Sequence, residues 1–115
     1  MKIQEYIKVL FDVQINGQVA HWQTDSYAAH KALEELYIGI VDLRDRLVES
    51  SQTEGIIKGY KSPVINESMD IISFLEGVID DSYSFRENQK PYIQQITDEI
   101  IEFISQKIYL LKHLK

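Results

Sequence analysis

A chain of 115 residues is one domain's worth of polypeptide, long enough to bury a single ordinary core. Its 18 acidic and 12 basic side chains leave a net charge of −6, which argues against a nucleic-acid backbone as partner, because phosphate binding needs clustered Lys and Arg. Cysteine is absent, so disulfide frameworks, thiolate nucleophiles and thiolate metal sites are all excluded. Any chemistry falls to carboxylates and to the three imidazoles His21, His30 and His113. The start, Met1-Lys2-Ile3-Gln4-Glu5-Tyr6, lacks a signal-type apolar run, and no apolar stretch approaches the ~20 residues a bilayer requires. A cytoplasmic location without membrane attachment is the expectation.

The first predicted helix runs from about Lys2 to Trp22. Ile3, Tyr6, Ile7, Leu10, Val13, Gly17 and His21 recur there at three- and four-residue steps. Gly17 is unfavourable inside a helix by roughly 1 kcal/mol and marks a close helix approach. Thr24, Asp25 and Ser26 offer successive N-cap side chains, so a tight turn leads to the second helix, about Ser26 to Ser51. Leu33, Leu36, Ile40, Leu43 and Leu47 make its apolar stripe.

Gln52 to Val64 reads as a loop. Stretched at ~3.3 Å per residue, it is just long enough to run the length of the preceding helix, yet it could equally fold back locally. The third helix is expected to begin at Ser62-Pro63 or at Asn66 and to continue through Met69, Ile72, Leu75 and Val78 to about Ser82. Pro91 opens the last helix, to about Leu114, with Ile93, Ile96, Ile100, Phe103, Ile104, Lys107, Ile108 and Leu111 on its stripe. No alternating pattern predicts a strand. The expected fold is all-α, one four-helix bundle domain over residues 1–115.

His30, Glu34, Asp45 and Glu49 lie on the second helix at offsets of 0, +4, +15 and +19, within an arc of roughly 100° along one edge of the apolar stripe. His21 falls on the apolar side of the first helix, one short turn away. Carboxylate oxygens and neutral imidazole nitrogens on converging helical faces suit iron, manganese or zinc, and bundle interiors are where such ligands are built.

The run Ala20-His21-Trp22 through His30 to Glu34, followed by Asp42-Leu43-Arg44-Asp45-Arg46-Leu47-Val48-Glu49, resembles the Dps-type mini-ferritins. Those proteins carry a His-Trp at the end of the first helix, a His early in the second and an Asp-x-x-x-Glu two heptads on. The resemblance implies a ferritin-like bundle, a homo-oligomer of two or more copies, and iron or a similar divalent metal bound at a subunit interface. His21 and His30 of one subunit would then work with Asp45 and Glu49 of another, with Glu34 as an additional acidic ligand. Ferroxidase activity is the enzymatic expectation, Trp22 would stand beside the metal, and a phage origin fits chains of this length. The His21–His30 interval is shorter than the family's, its turn glycine is missing, and the connection after the second helix has no room for the family's extra short helix. Those departures argue against a dodecameric cage and DNA protection.

The plainer alternative is a non-catalytic helical module whose aromatic helix faces, with Tyr6, Phe11 and Trp22, serve oligomerisation or partner binding. In it His30 is a hydrogen-bonded structural histidine, and Asp45 and Glu49 pair with Arg44, Arg46 or other cations. Trp22 anchors a helix end and Tyr37 joins the core. Asp70, Glu76, Asp80 and Asp81 have no histidine nearby in sequence and read as a solvated face and a helix end, and Asp98, Glu99 and Glu102 read as the polar face of the last helix. Lys107, Lys112, His113 and Lys115 suit the negative end of the last helix.

Overall fold

The computed structural model describes residues 1–113. Among these residues the chain forms four α-helices and no strand: α1 (Ile3–Gln23), α2 (Tyr27–Ser51), α3 (Ile71–Arg86) and α4 (Pro91–His113), with a single 3-10 turn at Gln52–Glu54. The predicted end of the last helix at Leu114 lies outside the described residues. Of the three cap candidates between α1 and α2, Ser26 serves, its Oγ accepting from the Ala29 N–H at 3.2 Å. Thr24 Oγ1 accepts from the Ser26 N–H and tightens the turn.

The third helix begins later than the sequence predicts. Neither Ser62-Pro63 nor Asn66 starts it, and Met69 lies outside it; Asp70 is the N-cap, with Oδ1 accepting from the Ile72 and Ser73 N–H groups at 3.0 and 3.2 Å. The physical reason lies in α1. Asp12 and Asn16, four residues apart on its buried side, hold the passing chain as a neighbouring strand would. Asp12 Oδ1 accepts from the Val64 N–H at 2.9 Å, Asn16 Nδ2 donates to the Val64 carbonyl at 2.9 Å, and Asn16 Oδ1 accepts from the Asn66 N–H at 2.8 Å. Nearer the start of α1, Gln4 Nε2 donates to the Lys58 carbonyl at 2.9 Å. Chain so held in an extended form cannot also wind into helix.

These contacts settle the direction of the crossover. It meets Gln4, then Asp12, then Asn16, so it travels along α1 and delivers α3 to the end of the molecule where α2 began. Helices α2 and α3 therefore run parallel on one diagonal of the bundle, with α1 and α4 on the other. The packed neighbours are α1 with α2, α2 with α4, α4 with α3 and α3 with α1. Each of these pairs is antiparallel.

The core joins all four stripes: Tyr6, Ile7, Leu10 and Val13 from α1, Leu33, Leu36, Ile40 and Leu47 from α2, Leu75, Val78 and Phe85 from α3, and Ile93, Ile96, Ile100 and Ile104 from α4. Tyr6 stacks on Phe85 at 4.5 Å between ring centroids, fully buried in the core and so not on the partner-binding face that the sequence alternative gives it. Its hydroxyl lies 2.7 Å from Ser82 Oγ, which itself donates to the Val78 carbonyl, so Tyr6 is the donor. Burial pushes the Tyr6 phenol well above its ordinary pKa.

Two glycines mark close approaches. A Cβ on Gly17 would sit 3.3 Å from Leu36 Cδ2, in keeping with the close packing its place in the α1 stripe predicts. Gly39 is the tighter seat, since a Cβ there would lie 2.5 Å from the Phe103 ring of α4. Beside it Lys107, on the buried stripe, sends its Nζ out to Glu35 Oε2 at 2.9 Å. That ion pair holds the Glu35 carboxyl below its usual pKa.

Candidate functional site at the α1–α2 corner

The short turn Thr24–Ser26 makes α1 and α2 antiparallel neighbours, so the last turn of one faces the first turn of the other. His21 and His30 meet there. His21 is buried at 7% exposure, whereas His30 and Glu34, one helical turn on, are half-buried. The rings stack at 3.6 Å between centroids, tilted by 25°.

Each imidazole is bonded to the other residue's backbone. His21 Nδ1 lies 2.7 Å from the His30 carbonyl oxygen, and His30 Nδ1 lies 2.9 Å from the His21 carbonyl oxygen. A carbonyl oxygen only accepts, so both Nδ1 atoms carry the proton, and in the neutral ring each Nε2 keeps its lone pair. The His21 carbonyl is among the last four of α1, which have no partner inside the helix, and His30 caps it. The Tyr37 ring stands edge-on to His21 at 5.3 Å.

Two imidazoles fixed through Nδ1 and a nearby carboxylate are side chains that could hold a metal ion. One ligand atom from each of His21, His30 and Glu34 lies within 4.8 Å of the other two. An ion with bonds of ~2.1 Å holds donors no more than ~4.2 Å apart, so a small closure completes the set. Glu34 can make it, its ion pair among the described residues being a loose one with Lys31 at 3.8 Å.

Asp45 and Glu49 do not join this cluster within one chain. They are exposed, roughly 22 and 28 Å further along the α2 axis at ~1.5 Å per residue. There they border a cleft of about 450 Å³ with Ile7, Phe11, Arg44, Val48, Gln52 and Tyr60. Pairing with the neighbouring arginines is not what holds them. Arg44 lies 4.3 Å above the Phe11 ring and donates to Gln14 Oε1, while Arg46 pairs with Glu99 at 2.8 Å. Burial lowers the Arg44 pKa, with Asp45 opposing.

Two other sequence expectations change. Trp22 is 66% exposed, so it is not a buried anchor of the helix end. Tyr37 is half-buried, a wall of the histidine pair rather than part of the core. The acidic residues of α3 lie on an exposed face and at a helix end, as expected: Asp70 caps the helix, Glu76 meets Lys112 at 3.3 Å, and of the four Asp81 alone is half-buried. Burial, and then the charge of Asp80, raises the Asp81 carboxyl pKa. Asp98 and Glu99 do lie on an exposed face, paired with Arg86 and Arg46.

Sequence reasoning passed over Asp12 and Asn16. Their signal is a polar pair, four apart, at positions the helical period assigns to the inside. It also passed over Tyr27 and Ile38, which are 77% and 56% exposed on α2. No helix among the described residues is long and apolar enough to cross a membrane.

A family described as one of unknown function, DUF5856, matches residues 21–111, and the chain belongs to it. The chain is also similar to a protein of Enterobacteria phage T4, described as an uncharacterized 14.6 kDa protein in the mobD-ri intergenic region. The two are 31% identical over 117 residues, covering 96% of this chain and 88% of the phage protein. No solved structure matches.

Proposed function

We propose that this member of the DUF5856 family is a metal-handling four-helix protein of the Dps-like, ferritin-like kind, binding iron or a similar divalent ion where two copies meet. One observation carries the reading: one ligand atom from each of His21, His30 and Glu34 lies within 4.8 Å of the other two, and both Nδ1–H groups are committed to carbonyls, which leaves the Nε2 lone pairs for an ion. Hydrogen bonds of this type fix the tautomer and the ring orientation of metal-binding histidines. The single long crossover agrees with the connectivity of ferritin-like bundles. Similarity to a phage protein accords with the phage origin that the resemblance implies.

In this reading a second copy supplies the remaining carboxylates. An antiparallel α2–α2 pairing that brings His30 or Glu34 opposite Asp45 or Glu49 of that copy has its two-fold axis at about residues 38 to 40. Ile38 is exposed there, on the same face as His30, Glu34 and Asp45 at ~100° per residue. Ferrous iron as substrate would give up an electron to oxygen or peroxide. The chain's own residues bind and orient it, and Tyr37 packs against the inner imidazole. A cytoplasmic location goes with this reading, and the net charge of −6 favours cations over nucleic acid.

Titration with Fe(II), followed by calorimetry and by oxidation in air or peroxide, tests the assignment. Binding is expected in the wild type and is expected to be lost in a His30→Ala, Asp45→Ala double variant. Binding unchanged in that variant would overturn it.

A second reading, a non-catalytic oligomerisation or partner-binding module, draws on the same corner. The reciprocal Nδ1 bonds close it without an ion, and Trp22, Tyr27 and Ile38 present apolar surface of the sort enriched at interface centres. A protein that self-associates in sedimentation yet neither binds nor oxidises Fe(II) would establish this reading instead.

A further inference from the structure

We infer that His21, His30 and Glu34 form a self-contained two-histidine, one-carboxylate site that takes one transition-metal ion per chain without help from Asp45 or Glu49. The inference rests on the metal reading above but changes its order of events: the first ion belongs to a single chain, and the interface carboxylates act only afterwards.

Three features support it. All three donors come from one chain, and they converge across a turn of only three residues between α1 and α2. Two of the three are already oriented, because each ring is held by a backbone carbonyl of the facing helix and by stacking on the other ring at 3.6 Å. Little conformational freedom is therefore lost at the imidazoles when an ion binds, and Glu34 alone has to adjust. The carboxylates left out stand on a different surface, the cleft beside Phe11 and Tyr60. Asp45 and Glu49 lie about 22 and 28 Å beyond His30 along the α2 axis at ~1.5 Å per residue.

The donor chemistry also sets the class of ion. Imidazole nitrogens suit zinc, copper, iron and nickel, whereas all-oxygen sites suit magnesium and calcium. A site of two nitrogens and one carboxylate leaves room for water or a further ligand, as in open zinc and non-haem iron centres. Zinc therefore binds ahead of ferrous iron, in the usual order of divalent affinities, and magnesium does not compete. Because the ion ties α1 to α2, it also stabilises the folded chain in proportion to its occupancy.

The experiment is a Zn(II) titration of the full chain by calorimetry, repeated with Co(II) for its ligand-field spectrum and accompanied by thermal unfolding with and without metal. Wild type should take one Zn(II) per chain with a rise in Tm, and millimolar Mg(II) should leave both unchanged. Asp45→Ala, Glu49→Ala should keep the affinity within about threefold. Losing only a supporting partner of a metal ligand typically costs 10–100-fold, so His30→Ala and Glu34→Gln should each weaken binding at least about tenfold. Glu34→Gln is the safer variant, since Glu34 is only half-buried and Gln keeps its size and shape.

If the Asp45→Ala, Glu49→Ala protein loses the first ion as His30→Ala does, the single-chain site is overturned while the interface reading stands. If wild type takes up no Zn(II) or Co(II), both fall. Zinc binding that Glu34→Gln leaves intact removes the carboxylate from the set and overturns the three-donor site.

Discussion

His21 and His30 each donate an Nδ1–H to the backbone carbonyl of the other, at 2.7 and 2.9 Å, with their rings stacked between the two bonds. The same pair of bonds closes the corner of the bundle and leaves each Nε2 of the neutral rings with its lone pair. The structural role of this corner and the metal binding proposed for it can be separated by measurement.

The structural use gives the first prediction. His30→Ala removes the cap on the His21 carbonyl and leaves the buried His21 ring without its stacking partner. Losing one hydrogen bond and leaving a buried group unpaired costs about 1–3 kcal/mol, which urea unfolding in metal-free buffer would show. A variant as stable as wild type would mean that the clasp contributes nothing to folding.

The crossover gives the second. Asn16→Ala removes the donor to the Val64 carbonyl and the acceptor for the Asn66 N–H together. A loss of about 1–3 kcal/mol is expected. Hydrogen exchange should rise at Asn66, whose amide Asn16 protects, more than at Ile100 in the core of α4.

Gly39→Ala places a methyl group against the Phe103 ring. Overpacking of this kind costs about 1–3 kcal/mol. Adding Phe103→Leu should recover part of that loss, whereas Gly77→Ala, which meets open space on α3, should be neutral or stabilising.

The raised Asp81 pKa has a definite sign. A carboxyl that holds its proton more tightly when folded destabilises the folded state once it ionises, so its contribution worsens as pH rises from the unfolded value through the folded one. Asp81→Asn should therefore be more stable than wild type at pH 7. The advantage should shrink in acid, as Asp81 becomes protonated in the wild type. Chemical denaturation at pH 4 and pH 7 measures the difference.

Much of the bundle is legible in the sequence because helical periodicity is a local signal. The stripes Leu33–Leu36–Ile40–Leu47 and Ile93–Ile96–Ile100–Ile104 predict their own burial, and Ser26 and Pro91 mark helix starts. The path of residues 55–70 is not legible in this way. Ser62-Pro63 has the local chemistry of a helix start, but Asp12 and Asn16, some fifty residues earlier, hold that stretch extended. The corner is intermediate: the spacing of His21, His30 and Glu34 suggests convergence, and only the antiparallel packing of α1 on α2 shows which nitrogens are left free. Asp45 and Glu49 share a helical face with His30 in sequence, yet length along the axis keeps them apart within one chain.

The most direct measurement is anomalous scattering from a crystal of the full chain soaked in Zn(II) or grown with Fe(II). One strong peak per chain is expected at the α1–α2 corner, about 2.0–2.2 Å from the Nε2 atoms of His21 and His30 and from a Glu34 oxygen. A corner without a peak at saturating metal, with the two imidazoles still bonded to each other's carbonyls, would contradict it.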